Sequence, residues 1–284
     1  MFWKDKTKIT ETILREEDIS FEGVQSRGST LFLGRYVLQE VVQVLKKRNF
    51  IKEARKRDLW PLVFQVDSSS YPTQHFQIFH ETKDPEKLVV DLKIKEGYFS
   101  FSPPLDFKFS KTRWRFLFLE WLTLQNPKLN FSPEDLPLPG QKHPGLKLSR
   151  KIMDLFIYVA RLIKADGLVA FPAYFHNAVL FSRYFNFINP LKEAEVRKIR
   201  KTALSVSIKQ LAWIVYWGCL HSHDGKVYEW TAEEQVYPLN HELKSYFKSS
   251  EYKNKVKQAE DNFSFTIDWE CFKSKMRQNQ WSQP

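Results

Sequence analysis

The chain has 284 residues, 43% of them hydrophobic, enough to bury one or two cores, and a formal net charge of +11. It contains no run of roughly 18 apolar residues, and Met1-Phe2-Trp3-Lys4-Asp5-Lys6 at its start lacks a signal-peptide apolar region, so neither a helical membrane span nor a leader is expected. Cys219 and Cys271 are too few and too scattered for a disulfide framework or a cysteine-based metal site, and a cytoplasmic protein is the expectation.

In chain order, Phe32 to Arg48 repeats Leu33, Val37, Val41, Val42 and Leu45 at helical spacing, predicting an amphipathic helix. Phe64-Gln65-Val66 reads as an edge strand, and Asp67-Ser68-Ser69-Ser70-Tyr71-Pro72 as a loop. His75 to His80, Leu88 to Ile94 and Arg115 to Leu124 read as three successive strands. Val90, Leu92 and Ile94 alternate with Val89, Asp91 and Lys93, while Phe116 to Leu119 is continuously apolar, as in a central strand. Pro103-Pro104 and Pro137-Leu138-Pro139-Gly140 are breaks. Ile152, Leu155, Phe156, Val159, Leu162 and Ile163 fall on one helical stripe, with Ser149 placed to cap its start and Gly167 just past its end. Leu168 to Phe171 is a short apolar run stopped by Pro172, which suits an interior strand. Ala178, Phe181 and Phe185 repeat at helical spacing; Asn177 can cap this second helix, and Asn186 can end it in a left-handed conformation. Leu211 to Leu220 and Lys226 to Trp230 read as a hairpin around His223-Asp224-Gly225, since Asp-Gly is a strong turn signal. Leu243 to Phe247 and Tyr252 to Ala259 read as helices. The expected organisation is an N-terminal helical region over 1–70, a core over 71–232 and a C-terminal helical extension over 233–284.

Lys46, Lys47, Arg48, Lys52, Arg55, Lys56 and Arg57 cluster, and Lys198, Arg200 and Lys201 form a second group. Such groups suit nucleic acid, acidic lipid or another anion, or simply a solvated face. Glu53 and Asp58 interrupt the first cluster, and no nucleic-acid motif accompanies it. His221 and His223 could share a strand face but have no evident third ligand, so no metal site is expected. The sequence holds no serine nucleophile elbow, no Walker loop and no H-E-x-x-H, which leaves hydrolase, nucleotide phosphotransfer and zincin readings without support.

From Gln141 to Phe187 the order is a glycine-bearing loop, a helix, a short strand and a second helix. A loop that opens a helix favours a phosphate, because free backbone N–H groups and the positive end of the dipole meet there. Gly145 in the loop, with Ala178 and Phe187 in the second helix and at its end, resembles the acetyl-coenzyme-A-binding core of the GNAT N-acyltransferase superfamily. That family's signature is a Q/R-x-x-G-x-G/A loop starting a helix, then a strand, then a helix of the form N-x-A-x-x-x-Y-x-x-x-G-F. The resemblance covers roughly a sixth of the chain. Lys147 stands where the second small residue is expected, Lys142 replaces the first basic or amide residue with Gln141 one place early, and Asn186 replaces the usual glycine. Ser182 occupies the place of the frequent general-acid tyrosine, with Tyr184 two residues away.

The resemblance implies an α/β (α+β) fold: a GNAT-like mixed, mostly antiparallel sheet flanked by helices, with N- and C-terminal extensions. It implies acetyl-CoA or another acyl-CoA as co-substrate and an unknown amine as acceptor. The pyrophosphate would rest on the backbone amides of Leu146, Lys147, Leu148 and Ser149, with Lys142, Gly145, Arg150 and Asn177 as further contacts. Glu120 lies in the strand before the loop, where the family often places a general base; partial burial would raise its pKa, unless it faces outward or pairs with Arg113 or Arg115. Ser182 and Tyr184 are the candidate acids. The residues at 147 and 182 also fit a non-catalytic binding module of this fold, and a basic nucleic-acid-binding protein is the third reading.

Overall fold

A computed structural model describes residues 9–14, 31–100, 105, 107–132 and 134–278; the start of the chain and Pro103-Pro104 lie outside them. The chain forms two compact units. The first takes the described residues up to Gly97, with Leu117–Asn130 and His143–Ile163; the second takes Tyr98–Phe116, Phe131–Lys142 and the described residues from Lys164 onward.

In the first unit β1 (Ile9–Leu14) leads to α1 (Leu38–Lys47), α2 (Phe50–Arg55), β2 (Leu62–Asp67), β3 (Gln74–His80) and β4 (Leu88–Ser100). The later part of β5 (Arg113–Leu124) and α3 (Ser149–Leu162) complete it. β1, β2, β3 and β4 pair antiparallel in that order. Phe64-Gln65-Val66 is therefore not an edge strand: β2 lies between β1 and β3, and all but its last residue are buried. α1 starts later than its apolar spacing suggests. Phe32 bridges to Tyr36, with Leu33 and Gly34 at φ 51° and 66°, so the chain turns tightly before the helix can begin.

The strand alternation sorts side chains to two faces. Phe76, Leu92 and Ile94 meet α1 and α3, where Leu38, Val42 and Leu45 of α1 and Ile152, Met153, Phe156, Ile157 and Ala160 of α3 are buried. Leu155, Val159 and Leu162 of the predicted stripe line an apolar cleft of about 640 Å³, open mouth included, and Leu162 is 46% exposed. On the opposite face the register puts Gln65, Gln77 and Asp91 in one row.

The second unit holds β6 (Gly167–Ala170), α4 (Phe175–Phe181), β7 (Asn186–Phe187), α5 (Pro190–Thr202), α6 (Ile208–Tyr216) and β8 (Leu220–Ser222). β9 (Gln235–Pro238), α7 (His241–Lys248), α8 (Ser250–Asn262), β10 (Phe265–Ile267) and α9 (Trp269–Arg277) follow. β9 lies between β6 and β7, antiparallel to both, and β8 pairs with β10 in a separate ribbon. Gly167 opens β6 rather than closing α3; the left-handed residue just beyond α3 is Lys164, at φ 55°. A Cβ on Gly167 would sit 2.6 Å from the Tyr237 carbonyl oxygen and 2.9 Å from the Phe116 ring, so only glycine fits.

The predicted hairpin over Leu211 to Trp230 is half right. The turn forms, with Ser222 N–H donating to Lys226 O at 2.9 Å and Gly225 at φ 77°. Its first arm is α6, followed by three residues of β8. Ser207 and Gln210 form a capping box at the start of α6. Trp213 of α6 is buried, and its Nε1–H donates to Pro137 O at 2.7 Å. Cys219 and Cys271 form a disulfide across a sequence separation of 52, which corrects the expectation drawn from their number and spacing. Overall the fold is mixed α/β, with a mostly antiparallel sheet flanked by helices.

Candidate functional site

The loop before α3 is fixed to the end of β5. Gly145 bridges antiparallel to Gln125, Asn126 N–H donates to Pro144 O at 2.8 Å, and Leu146 N–H reaches Leu124 O at 3.4 Å. Leu146 and Leu148 are buried while Lys147 between them is exposed, which presses the loop onto the unit. Arg57 Nε donates to Leu146 O at 3.0 Å, and its Nη1 donates to Glu53 O and to the Glu53 carboxylate at 2.8 and 2.7 Å. Lys151 donates to the other carboxylate oxygen of Glu53 at 2.8 Å. Hydrogen bonds from Lys151 and then Arg57 hold the Glu53 carboxyl down at about 2. The start of α3 is thus tied to α2 through one carboxylate.

Ser149 is the first residue of α3, not its cap; the N-cap is Leu148, which has no side-chain cap bond. Lys147 takes φ 56°, the left-handed region that glycine enters freely, at the place where a small residue was expected. The first helical bond recorded at this start is Ile152 N–H to Leu148 O at 3.0 Å. The N–H groups of Ser149, Arg150 and Lys151 therefore point out of the first turn with no helical acceptor. The first turn carries no acid, and Lys147, Arg150 and Lys151 are exposed around it. This arrangement is unfavourable with the helix dipole alone and becomes favourable when an anion sits there. Lys142 is exposed in the second unit, while His143 is half-buried, its Nδ1 3.1 Å from Leu129 O.

Glu120 of β5 pairs with Lys95 of β4, not with Arg113 or Arg115, and accepts a hydrogen bond from Thr73 Oγ1 at 3.0 Å. It lies four residues before Leu124, about 13 Å along the strand from the loop. Beside it on the same sheet face, His75 Nε2 bonds the Asp91 carboxylate, and Gln77 Nε2 donates to the same oxygen at 3.3 Å. The sequence reading missed this pair. The alternation of Asp91 and Lys93 against Leu92 and Ile94 already put Asp91 on the polar face, and the pairing of β3 with β4 was the step that spacing could not supply.

The remaining predicted residues lie in the second unit. Asn177 is inside α4, whose N-cap is Tyr174, so it does not cap the helix. α4 ends at Phe181; Asn186 starts β7 and has no left-handed φ. Ser182 Oγ donates to Ala178 O at 2.8 Å and accepts from Gln235 Nε2 at 3.2 Å, so its hydroxyl is committed to the backbone. Tyr184 is half-buried in the turn after α4. His176 is buried and stacked on Tyr174, and burial pushes its imidazole down to about 4.

No helix among the described residues is long and apolar enough to cross a membrane. No protein-family model matches the chain, and no curated protein does. A solved structure, the crystal structure of AtaTR bound with AcCoA, is similar over 63% of this chain and 86% of its own, at 12% identity and a TM-score of 0.28. A likeness of that size supports no step of the argument.

Proposed function

We propose that the first unit binds an acyl-coenzyme A at the loop Gly145 to Lys151, and that the protein transfers the acyl group to an amine. The observation that carries this reading is the start of α3: an uncapped first turn that itself carries no acid, with exposed Lys147 and Arg150 beside it and a left-handed residue at 147. The amides of Ser149, Arg150 and Lys151 would receive the pyrophosphate, and the cations would offset its charge. Lys147 points its ammonium outward from a backbone that already has the curvature a glycine would give.

In the transfer, the amine nitrogen attacks the thioester carbonyl, a C–N bond forms and the C–S bond breaks. Glu120 is held by Lys95 and Thr73, an arrangement that suits orienting a cationic acceptor better than taking its proton. Ser182 is not free to act as the acid, since its proton is committed to Ala178 O.

The test is calorimetric titration with acetyl-CoA, with a thermal melt in parallel, on the wild-type protein and on Lys147→Glu. Saturating ligand at a hundredfold excess over Kd stabilises the fold by about 2.7 kcal/mol. Binding in the wild type and its loss in a folded Lys147→Glu support the reading. Absence of heat and of a melting shift at millimolar acetyl-CoA overturns it. Binding without thiol release for any amine would point to a non-catalytic module.

A further inference from the structure

The first unit carries a cationic surface beyond the loop at α3. From Lys46 to Arg57 the chain has seven cations and one acid, Glu53. Lys46, Lys47 and Arg48 close α1. Lys52, Arg55 and Lys56 follow on α2 and its C-cap at i, i+3 and i+4, opposite buried Phe50, Ile51 and Ala54. All six are exposed. Two contacts lay this stretch along α3: the Arg48 guanidinium sits 4.1 Å over the Tyr158 ring, and Glu53 accepts from Lys151 at 2.8 Å. Lys151 and Tyr158 are two turns apart on one side of α3, so the cations are spread over about 10 Å. Lys151, Arg57 and Lys56 lie 2.8, 2.7 and 3.4 Å from the Glu53 carboxylate, so three cations already share its charge. The acids bordering the stretch are Asp154, between Lys151 and Tyr158 on α3, and Asp58, which pairs with Lys128. Basic residues at a helix C-terminus suit its dipole, which accounts for one or two of them. Six on adjoining turns repel one another unless an anion faces them.

We propose that this surface holds a nucleic-acid duplex by its phosphate backbone. The inference is independent of acyl transfer. Charge selects a polyanion: a duplex presents one negative charge per about 1.7 Å of its axis, about six over the 10 Å that the cations cover. The surroundings select which polyanion. A helix that docks on a membrane sends apolar side chains into it between its cations. No large apolar side chain from Leu38 to Trp60 is among the exposed ones. A single strand needs open aromatic faces on which its bases stack. The two rings bordering this surface, Trp60 and Tyr158, are only partly exposed, and each is covered by a guanidinium, Arg55 at 4.1 Å and Arg48. The surface therefore offers charge without apolar wedges or stacking platforms. A duplex backbone, which is gripped through its phosphates and needs no base contact, is the partner that matches it.

The test is fluorescence anisotropy of the full chain with a short labelled RNA duplex, a DNA duplex of the same sequence and a single strand of uridines. Three or four neutralised phosphates give a slope of about −3 to −4 in log K against log salt, so duplex affinity should fall roughly 100-fold between about 50 and 200 mM salt. Binding of one duplex or of both with that slope supports the surface, and the pair distinguishes A-form from B-form. Lys47→Ala combined with Lys52→Ala removes two contacts and should make the slope shallower by about 2. Arg200→Ala combined with Lys201→Ala removes the same charge from the basic group of the second unit and should leave the slope unchanged. Equal losses in the two double variants would show attraction to net charge alone and overturn the surface. Single-strand binding as tight as either duplex would overturn it too, as would tighter binding to phosphatidylserine vesicles at the same salt. No binding of either duplex at about 50 mM salt sinks it outright. Acetyl-CoA titration of the same variants should be unaffected by the changes at 47 and 52, so duplex binding and acyl-CoA binding can fail separately.

Discussion

Reduction of the Cys219–Cys271 bond should destabilise the second unit substantially. The two cysteines close a loop with a sequence separation of 52. In the chain-entropy model a loop of that length removes about 14 cal/mol/K from the unfolded ensemble, or about 4 kcal/mol at 25 °C. Both cysteines belong to the second unit, which spans roughly 150 residues. At that size 1 kcal/mol moves a melting temperature by about 2 to 4 °C, so reduction should lower the unit's transition by about 10 °C. Reduction is the cleaner perturbation, because Cys219 is fully buried and a serine there would add an unpaired hydroxyl. The assay is a thermal melt followed by far-UV circular dichroism and tryptophan fluorescence, with and without a phosphine reductant. Thiols are titrated before and after. Two reactive thiols in the untreated, denatured protein, or melts that differ by less than about 2 °C, would refute the reasoning.

Gly167→Ala should cost about 2 to 3 kcal/mol in urea denaturation, because the added Cβ meets the Tyr237 carbonyl at 2.6 Å and backbone cannot rotate away as a side chain can; an unchanged midpoint would show that β6 and β9 pack less closely than this. Ser207→Ala should cost about 1 kcal/mol by removing the oxygen that accepts Gln210 N–H at 3.2 Å, measured by the same method. His176 is neutral in the fold, with its imidazole held at about 4 by burial against an ordinary value of 6.5. Between those two pH values the unfolded chain binds a proton that the folded chain does not. Stability should therefore be greatest above pH 6.5 and fall toward pH 4, by about 3 kcal/mol at most. The part of that slope due to His176 should vanish in His176→Phe, and identical slopes in both proteins would place the titration elsewhere.

How much of this was legible in the sequence depended on periodicity. The strands around Val90 to Ile94 and Phe116 to Leu119, the helix after Ser149 and the buried run at Leu168 all carry a clear two- or 3.6-residue repeat, and all formed within a few residues of expectation. α6 was misread because Leu211 to Val215 is apolar on every side, and a run with no polar face has no readable period. Ser207 and Gln210, three apart, were the available clue. Asn177 and Ser149 were placed as caps from residue type alone, although Tyr174 and Leu148 hold those positions with no side-chain bond. The loop at Gly145 could be found from its glycine and the helix after it. The left-handed backbone at Lys147 could not, since lysine gives no hint of positive φ. The His75–Asp91 pair was out of reach for a different reason: 16 residues separate the two, and only strand register joins them.

The placement of β9 between β6 and β7 has a consequence for the order in which the second unit can assemble. β7 is two residues long, too short to hold its place by its own pairing, and Gln235–Pro238 of β9 supplies its strand partner. Two hydroxyls from still later in the chain fix it further: Tyr252 donates to Phe187 O at 2.6 Å and Tyr246 donates to Ile188 O at 2.7 Å. A nascent chain that has left the ribosome only as far as Trp230 therefore carries β6 and β7 with a gap one strand wide between them, lined by Leu168, Val169 and Phe187. At ordinary elongation rates of about 5 to 20 residues per second, that apolar gap stands open for about 0.4 to 2 seconds before β9 emerges, and for a few seconds more the strand lacks the hydroxyls of α7 and α8. Holdase chaperones should meet this protein during that interval, and a translation pause before β9 should lengthen the exposure while one placed after it should not.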